Sequence, residues 1–441
     1  MRKSTRRYDG SASADLKEGT IVAPVPAQDP WAQVSEILRL IRTGHAQTRP
    51  ELADATRLGR NVITLRIQAA EELALIRPSG DLRSRGGRAA EVWEFRGEEG
   101  RILIGTLGVD RFRVALADLS GTLLESRVVE FPLTADPLRT CTRIAEEMEA
   151  VLATQEEGDL WGVGLGMLAP VNAVTGRSTD PVTSTQMVRW PKDFDIRHWF
   201  TQRMQVPVWV ESVSNLMALG GAEAPGAPAD LIFVRMDKGV GSGIISGGKL
   251  HRGADWVAGE ITHIAVSDDP RRICMCGRIG CLDAFAGEWA IEADAKHALA
   301  EGRSPYLTNH PTATVDDVVA GAGSGDVACT EIVLRAAEAM GRALAAVVTW
   351  FNPRRVVVGG SALAVDPLFR STLSRTLHAR ALGASVEHLE LEVGARDRVE
   401  EVYGAVAMVR DALLSPDILA EWAPVGSPRK APALLTRETQ S

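Results

Sequence analysis

Three of the chain's five cysteines fall within eight residues, in Cys274-Met275-Cys276-Gly277-Arg278-Ile279-Gly280-Cys281, and His263 lies eleven positions upstream. This cluster constrains the fold more than any other stretch. C-x-C places two thiolates side by side, and Gly277 and Gly280 let the backbone turn back so that Cys281 reaches the same point. Three thiolates and one imidazole make a closed tetrahedral donor set that suits Zn²⁺. A closed set leaves no position for water, so the expected ion is structural, held by His263, Cys274, Cys276 and Cys281. The alternative is a cluster of free thiols. An odd cysteine count with one tight cluster fits a metal site in a reducing cytoplasm better than a disulfide framework. The first 20 residues are polar and lack the apolar core of a secretory signal. No apolar run approaches the ~18 residues needed to span a bilayer. The nearest, Ala343 to Phe351, reads as the end of a buried helix, so no membrane association is expected.

Charge divides the chain. The whole carries a net −8 over 441 residues, but residues 1–96 hold 16 basic and 12 acidic side chains, and residues 97–441 hold 33 and 45. A +4 end on a −12 body argues against a protein that coats nucleic acid with its whole surface and for one nucleic-acid-binding end. The hydrophobic and charged fractions, 45% and 24%, are ordinary for globular chains and exclude a fibrous or wholly disordered protein.

Within the basic end, residues 1–28 read as a flexible arm. Trp31, Val34, Ile37, Leu38 and Ile41 then share one helical face over Pro30 to Arg42, with Asp29 as N-cap and Pro30 at the first helical position. Thr48 and Glu51 form a capping box for a short second helix ending near Thr56. Arg57-Leu58-Gly59 turns the chain into a third helix, Arg60 to Leu73, whose expected core contacts are Val62, Leu65 and Ile67. A Gly/Arg-rich stretch, Gly80 to Arg88, precedes a short strand at Glu91–Phe95. Three helices, a tight turn and a basic hairpin describe a winged helix-turn-helix over residues 29–97. Thr48, Arg60, Asn61, Thr64 and Arg66 are its candidate DNA contacts on the helices, and Arg83, Arg85 and Arg88 on the wing. The alternative is a helical bundle with solvated arginines.

The remaining chain alternates strands and amphipathic helices, predicting an α/β body in two halves. Residues 98–218 form the first, residues 219–422 the second with the cysteine loop, and 423–441 a disordered tail. Asp237 to Leu250 carries a G-x-G-x-G pattern that is either a phosphate-binding turn or a bare hairpin. Glu260, in Gly259-Glu260-Ile261-Thr262-His263, is either an acceptor for sugar hydroxyls or a solvated glutamate.

From Gly239 to Asp283 a glycine loop, a G-E-x-x-H segment and a C-x-C-G-x-x-G-C-L-[ED] loop follow in an order and spacing that resemble the ROK family of bacterial sugar kinases and sugar-responsive repressors. The Asn352-Pro353 and Gly359-Gly360 pairs match the family's C-terminal pattern, and the resemblance spans roughly Pro30 to Leu414. Arg85-Gly86-Gly87-Arg88 is similar to the wing of the repressor branch, which includes xylose and N-acetylglucosamine repressors. The resemblance implies a two-lobed actin-like, sugar-kinase-like (ribonuclease H-like) ATPase fold behind the DNA-binding head. It also implies a carbohydrate site, here Glu260, His263 and Asp283 with Ser212.

Two departures speak against catalysis. The kinases' Asn-Asp pair, whose Asp is the general base, aligns with Ser212 and Val213, and losing a base costs roughly 10²–10⁴ in rate. The first phosphate loop, D-x-G-G-T, is replaced by Thr106-Leu107-Gly108-Val109-Asp110. The expected protein is therefore a non-enzymatic cytoplasmic repressor, a homodimer or homotetramer that binds operator DNA and a small carbohydrate. The alternatives are a divergent ATP-dependent sugar kinase with an accessory DNA-binding domain, and a constitutive DNA-binding protein whose body only dimerises.

Overall fold

The computed structural model describes residues 29–83, 90–133, 136–155, 158–178, 190–191, 194–394 and 399–436. The arm expected over residues 1–28 lies outside the described residues, as do Arg85 and Arg88.

The chain opens with three helices: α1 Pro30–Arg42, α2 Arg49–Thr56 and α3 Arg60–Glu72. The Asp29 carboxylate caps α1 by accepting from the Trp31 and Ala32 backbones, and Thr48 and Glu51 form the expected capping box of α2. Arg57 ends α2 in the left-handed region at φ 59°, which turns α3 sharply away. Strands β1 Ile76–Arg83 and β2 Ala90–Phe95 close this head as an antiparallel hairpin. The core of α3 departs from expectation. Ile63, Ile67 and Ala70 face inward, whereas Leu65, two residues or about 200° of helix from Ile63, is 57% exposed.

Two five-stranded sheets follow. The first contains β3 Gly100–Leu107, β4 Arg111–Asp118, β5 Leu123–Glu130, β6 Asp159–Met167 and, after a small hairpin of β7 Val171–Asn172 and β8 Arg177–Ser178, β9 Val208–Ser212. The second contains β10 Leu231–Met236, β11 Val240–Ser246, β12 Lys249–Leu250, β13 Arg355–Gly359 and β14 Glu390–Val393. Their strand orders, β5-β4-β3-β6-β9 and β12-β11-β10-β13-β14, are the same arrangement twice. In each, the first three strands form an antiparallel meander and the last two add in parallel. The central strands are buried apolar runs, as parallel strands covered on both faces require. Two helices flank the first half, α4 Pro137–Leu152 and α5 Ile196–Met204, and the 25-residue helix Val327–Phe351 runs through the core of the second.

Helix α6, Val213–Ala222, leads from the first sheet to the second and packs against the helix Glu400–Leu413. The two backbones nearly touch: a Cβ on Gly404 would stand 2.6 Å from the Leu216 carbonyl carbon and 2.9 Å from Gly220 N. Helix Glu400–Leu413 also packs on β3 and β6, and Pro416–Trp422 packs on α1. The end of the chain thus returns to the first half rather than completing the second.

The tail departs from the expected disorder. Ala423–Val425 and Pro428–Lys430 form 3-10 turns and Ala433–Thr436 a helical turn. Ala431 and Leu434 enter the same apolar cluster as Trp161, Trp422 and the inner face of α1. The prolines that suggest disorder in the sequence lie at the beginnings of these turns: Pro424 second in the first, Pro428 first in the second and Pro432 just before the third. Residues 437–441 lie outside the described residues. Among the described residues, no helix is long and apolar enough to cross a membrane.

Candidate functional site

The cysteine loop folds as a miniature hairpin. Ile273 pairs with Ile279 and Cys281 with Ala265. Gly277 and Gly280 take φ of 85° and 76°, and a Cβ on Gly280 would overlap the Ser267 carbonyl. His263 arrives on the 3-10 turn Ile261–His263. The four ligand atoms of His263, Cys274, Cys276 and Cys281 lie within 4.8 Å of one another. Cys274 Sγ is 3.7 Å from His263 Nδ1, and Cys276 Sγ is 3.7 Å from Cys281 Sγ. A tetrahedron with metal–sulfur bonds of about 2.3 Å has sulfur–sulfur edges of about 3.8 Å, so this donor set fits one metal ion. Burial pushes the Cys274 thiol above its usual range, a cost that cation binding would offset.

The metal loop borders a cleft between the two halves. Met167, Leu168, Pro170, Ser212, Val213 and Ser214 line it from one side, and Arg235, Lys238, Gly239, Gly241, Glu260 and Thr262 from the other. Ser212 is the N-cap of α6, its Oγ accepting from Asn215 N at 3.2 Å. Of the expected effector residues, Ser212 and Glu260 meet in this cleft, and His263 sits one residue beyond the wall in the metal cluster. Asp283 does not line it. It is fully buried and accepts from Val240 N at 3.0 Å and Trp289 Nε1 at 2.8 Å. Burial raises its pKa to about 6 despite those two bonds. Asp283 is thus a structural acceptor that ties the start of β11 to the helix after the metal loop.

The glycine-rich segment has a packing explanation. Asp237–Gly239 forms the turn between β10 and β11, but Gly241 and Gly243 lie within β11 beneath the start of α6. A Cβ on Gly243 would stand 2.5 Å from the Ser214 carbonyl oxygen, and one on Gly241 would overlap Ser214 Oγ. The close approach of α6, which is neither the phosphate-binding turn nor the bare hairpin, accounts for these two glycines.

Val213 is 7% exposed and belongs to an apolar cluster with Met217, Phe233 and Val357. Thr106 is buried at the end of β3 beside Arg235, Asp237, Gly360 and Glu401. Sequence reasoning passed over Glu211. It is fully buried and takes hydrogen bonds from Ser212 N, Asn215 Nδ2 and, at 2.7 Å, Arg252 Nε. Arg252 belongs to the loop after β12 and lies over the Trp256 ring. One ion pair therefore ties the second half to the first beside the cleft. A carboxylate ending an apolar strand was the available signal, since buried charge demands a partner.

A second network went unforeseen. Arg42, at the end of α1, reaches Glu223 at 3.4 Å and Asp411 at 3.5 Å. Arg410, almost wholly buried, shares both acids at 3.0 and 2.8 Å. Burial and then the neighbouring Arg410 charge lower the Arg42 pKa. Glu223 is the C-cap of α6, so a single helix runs from the cleft at Ser212 to this junction with the head.

On the head, the expected contacts divide. Arg60, Asn61 and Thr64 are exposed on one face of α3. Thr48 is 3% exposed, its side chain spent on capping α2 and its backbone bridging to Val92, so it does not stand on the outer face of the head. Arg66 donates to Gln33 of α1 at 2.8 Å and is held against the head. Arg83 ends β1.

The sequence signature of the ROK family matches residues 105–412. The xylose repressor of Caldicellulosiruptor bescii is 28% identical over 342 residues, covering 76% of this chain and 84% of that protein. A glucokinase of Halalkalibacterium halodurans is 26% identical over 61% of this chain and 82% of its own. Among solved structures, a ROK family transcriptional regulator described as a homologue of Escherichia coli Mlc superposes with a TM-score of 0.74 at 19% identity, covering 87% of this chain and 98% of its own.

Proposed function

Because the chain belongs to the ROK family, we infer that it is a transcriptional regulator, a repressor, whose N-terminal winged helix-turn-helix binds operator DNA and whose cleft senses a small carbohydrate. The observation that carries this reading is the outward face of α3, where Arg60, Asn61 and Thr64 stand exposed on a head joined to a sugar-kinase-like body. A relative named as a xylose repressor supports it.

The body is read as catalytically silent. The position of the kinases' general base holds Val213, whose hydrocarbon packs in a core cluster and can take no proton. Thr106 replaces the acid of the first phosphate loop. The ligand is held by Ser212 and Glu260, with Asp283 removed from the contact set because both of its oxygens are engaged inside the protein. Zinc is the ion assigned to His263 and the three cysteines, as a structural group that fixes the loop behind Glu260.

Ligand closing the cleft would move the N-terminus of α6 and, through Glu223, the Arg42 end of α1. A ligand shifts such an equilibrium only by its differential affinity for the two states. A homodimer or homotetramer would present paired heads to a two-fold operator.

Selection from random duplex DNA by gel shift tests the reading: an enriched, two-fold related sequence is expected, and no preferred sequence would contradict it. The glucokinase relative keeps a second reading in play. ADP release across a panel of hexoses and N-acetylhexosamines addresses it. No turnover is expected, and turnover abolished by Glu260→Gln would overturn the regulator assignment.

A further inference from the structure

Leu65 stands out of place. Hydrocarbon on α3 is otherwise turned inward at Ile63, Ile67 and Ala70, yet Leu65 is 57% exposed on the face that carries Arg60, Asn61 and Thr64. Among the described residues of the head, the exposed large hydrophobics are Leu65 and Leu82, the latter on β1 of the wing. Both lie on elements that the DNA-binding reading brings to the duplex. With Thr48 used as a cap and Arg66 held by Gln33, the expected helical contacts that remain outward are Arg60, Asn61 and Thr64; Leu65 joins them, as does Gln68, whose amide donates to Glu72 at 3.1 Å. The Thr64 hydroxyl is turned back to Arg60 O at 3.0 Å, so that bond engages its polar end.

The major-groove edges of the four base pairs present hydrogen-bonding atoms and one methyl group, that of thymine. We propose that Leu65 is a specificity-determining residue that packs on a thymine 5-methyl group in the major groove. The occupant follows from the position: the leucine is set among polar readers on the second turn of the helix rather than on a separate apolar patch. The inference rests on the DNA-binding reading above.

The test uses the full-length protein and a duplex selected from random DNA. Each thymine is replaced singly by deoxyuracil, which removes only the methyl group, and affinity is read by fluorescence anisotropy. For the unaltered protein, one thymine per half-site should respond with a weakening of about fourfold, the factor one methyl group's burial contributes. In Leu65→Ala the duplex should bind more weakly and the uracil response should vanish. The salt dependence should stay unchanged because phosphate contacts are intact. Equal uracil responses in both proteins, or none in either, would overturn the inference while leaving the regulator reading standing. A Leu65→Ala protein altered only in oligomeric state would overturn it too, assigning the leucine to contact between heads. Absence of any preferred duplex would bring down the DNA-binding reading and this inference together.

Discussion

Gly404→Ala tests the close crossing of α6 with the helix Glu400–Leu413. The added methyl carbon would stand 2.6 Å from the Leu216 carbonyl carbon and 2.9 Å from Gly220 N, where ordinary carbon contact begins near about 3.5 Å. Both neighbours are backbone of α6, and the Leu216 carbonyl oxygen is nearer still, so no side chain can swing aside and the helices must part by at least about 1 Å. A gap of that size forfeits about a quarter to a half of each dispersion contact across the crossing, and Leu216, Val402, Ala405 and Val406 are all buried there. Overpacking of this kind costs about 1–3 kcal/mol, sometimes more, while the gain in helix propensity from Gly to Ala returns up to about 1 kcal/mol. Overlap with backbone places the cost at the upper end of the overpacking range, so the net expectation is a loss of about 2 kcal/mol, or roughly 4–8 °C in Tm for a unit of this size. Differential scanning calorimetry on the full chain reads it. Gly323→Ala is the matched control: it also sits in a helix, with nothing within 4 Å of an added Cβ, and should leave Tm unchanged or slightly raised. Equal Tm values for wild type and Gly404→Ala would refute the close crossing and, with it, α6 as the rigid link between cleft and head.

Three further outcomes follow from the same geometry. Cys276→Ser should lose about one equivalent of bound zinc by elemental analysis and lower Tm, because structural metal affinity is folding free energy; unchanged metal content would count against the four-ligand site. Arg410→Ala should destabilise by about 1–3 kcal/mol, since it removes a buried side chain together with its bonds to Glu223 and Asp411, which keep access to water. Arg42→Ala leaves those acids paired with Arg410, so urea unfolding should show about 1 kcal/mol or less; a larger loss from Arg42 than from Arg410 would reverse the assignment. Arg252→Ala leaves Glu211 buried beside the cleft without its cation, and a loss of about 3 kcal/mol is expected; an unchanged urea midpoint would show that the ion pair does not bind the halves together.

Much of the head was legible because its signals are local. The Asp29 cap, the Thr48–Glu51 box and the Arg57–Gly59 turn each act within a few residues. Metal spacing was legible for the same reason, since four donors within nineteen residues determine their own meeting point. The central strands were visible as apolar runs, whereas β5 and β14 were not, being partly exposed edge strands without a buried stripe. Leu65 was placed inward by its hydrophobicity alone, although the inward period runs through Ile63 and Ile67. Asp283, the Glu211–Arg252 pair and the Arg42–Glu223 junction depend on residues up to 181 positions apart, and no local pattern announces such a meeting. The prolines of the tail were read as disorder because the apolar surface that holds Leu434 is built by distant segments, α1 and Trp161 among them.

The central claim is that a carbohydrate in the cleft controls DNA binding by the head. The most direct measurement titrates sugars and sugar phosphates into the complex of full-length protein with its selected duplex, followed by fluorescence anisotropy. The account predicts that at least one ligand changes DNA affinity by about tenfold, within the usual range of coupling between sites, and that Glu260→Gln loses the response while still binding DNA. DNA affinity indifferent to every ligand that thermal-shift screening shows to bind the protein would contradict it.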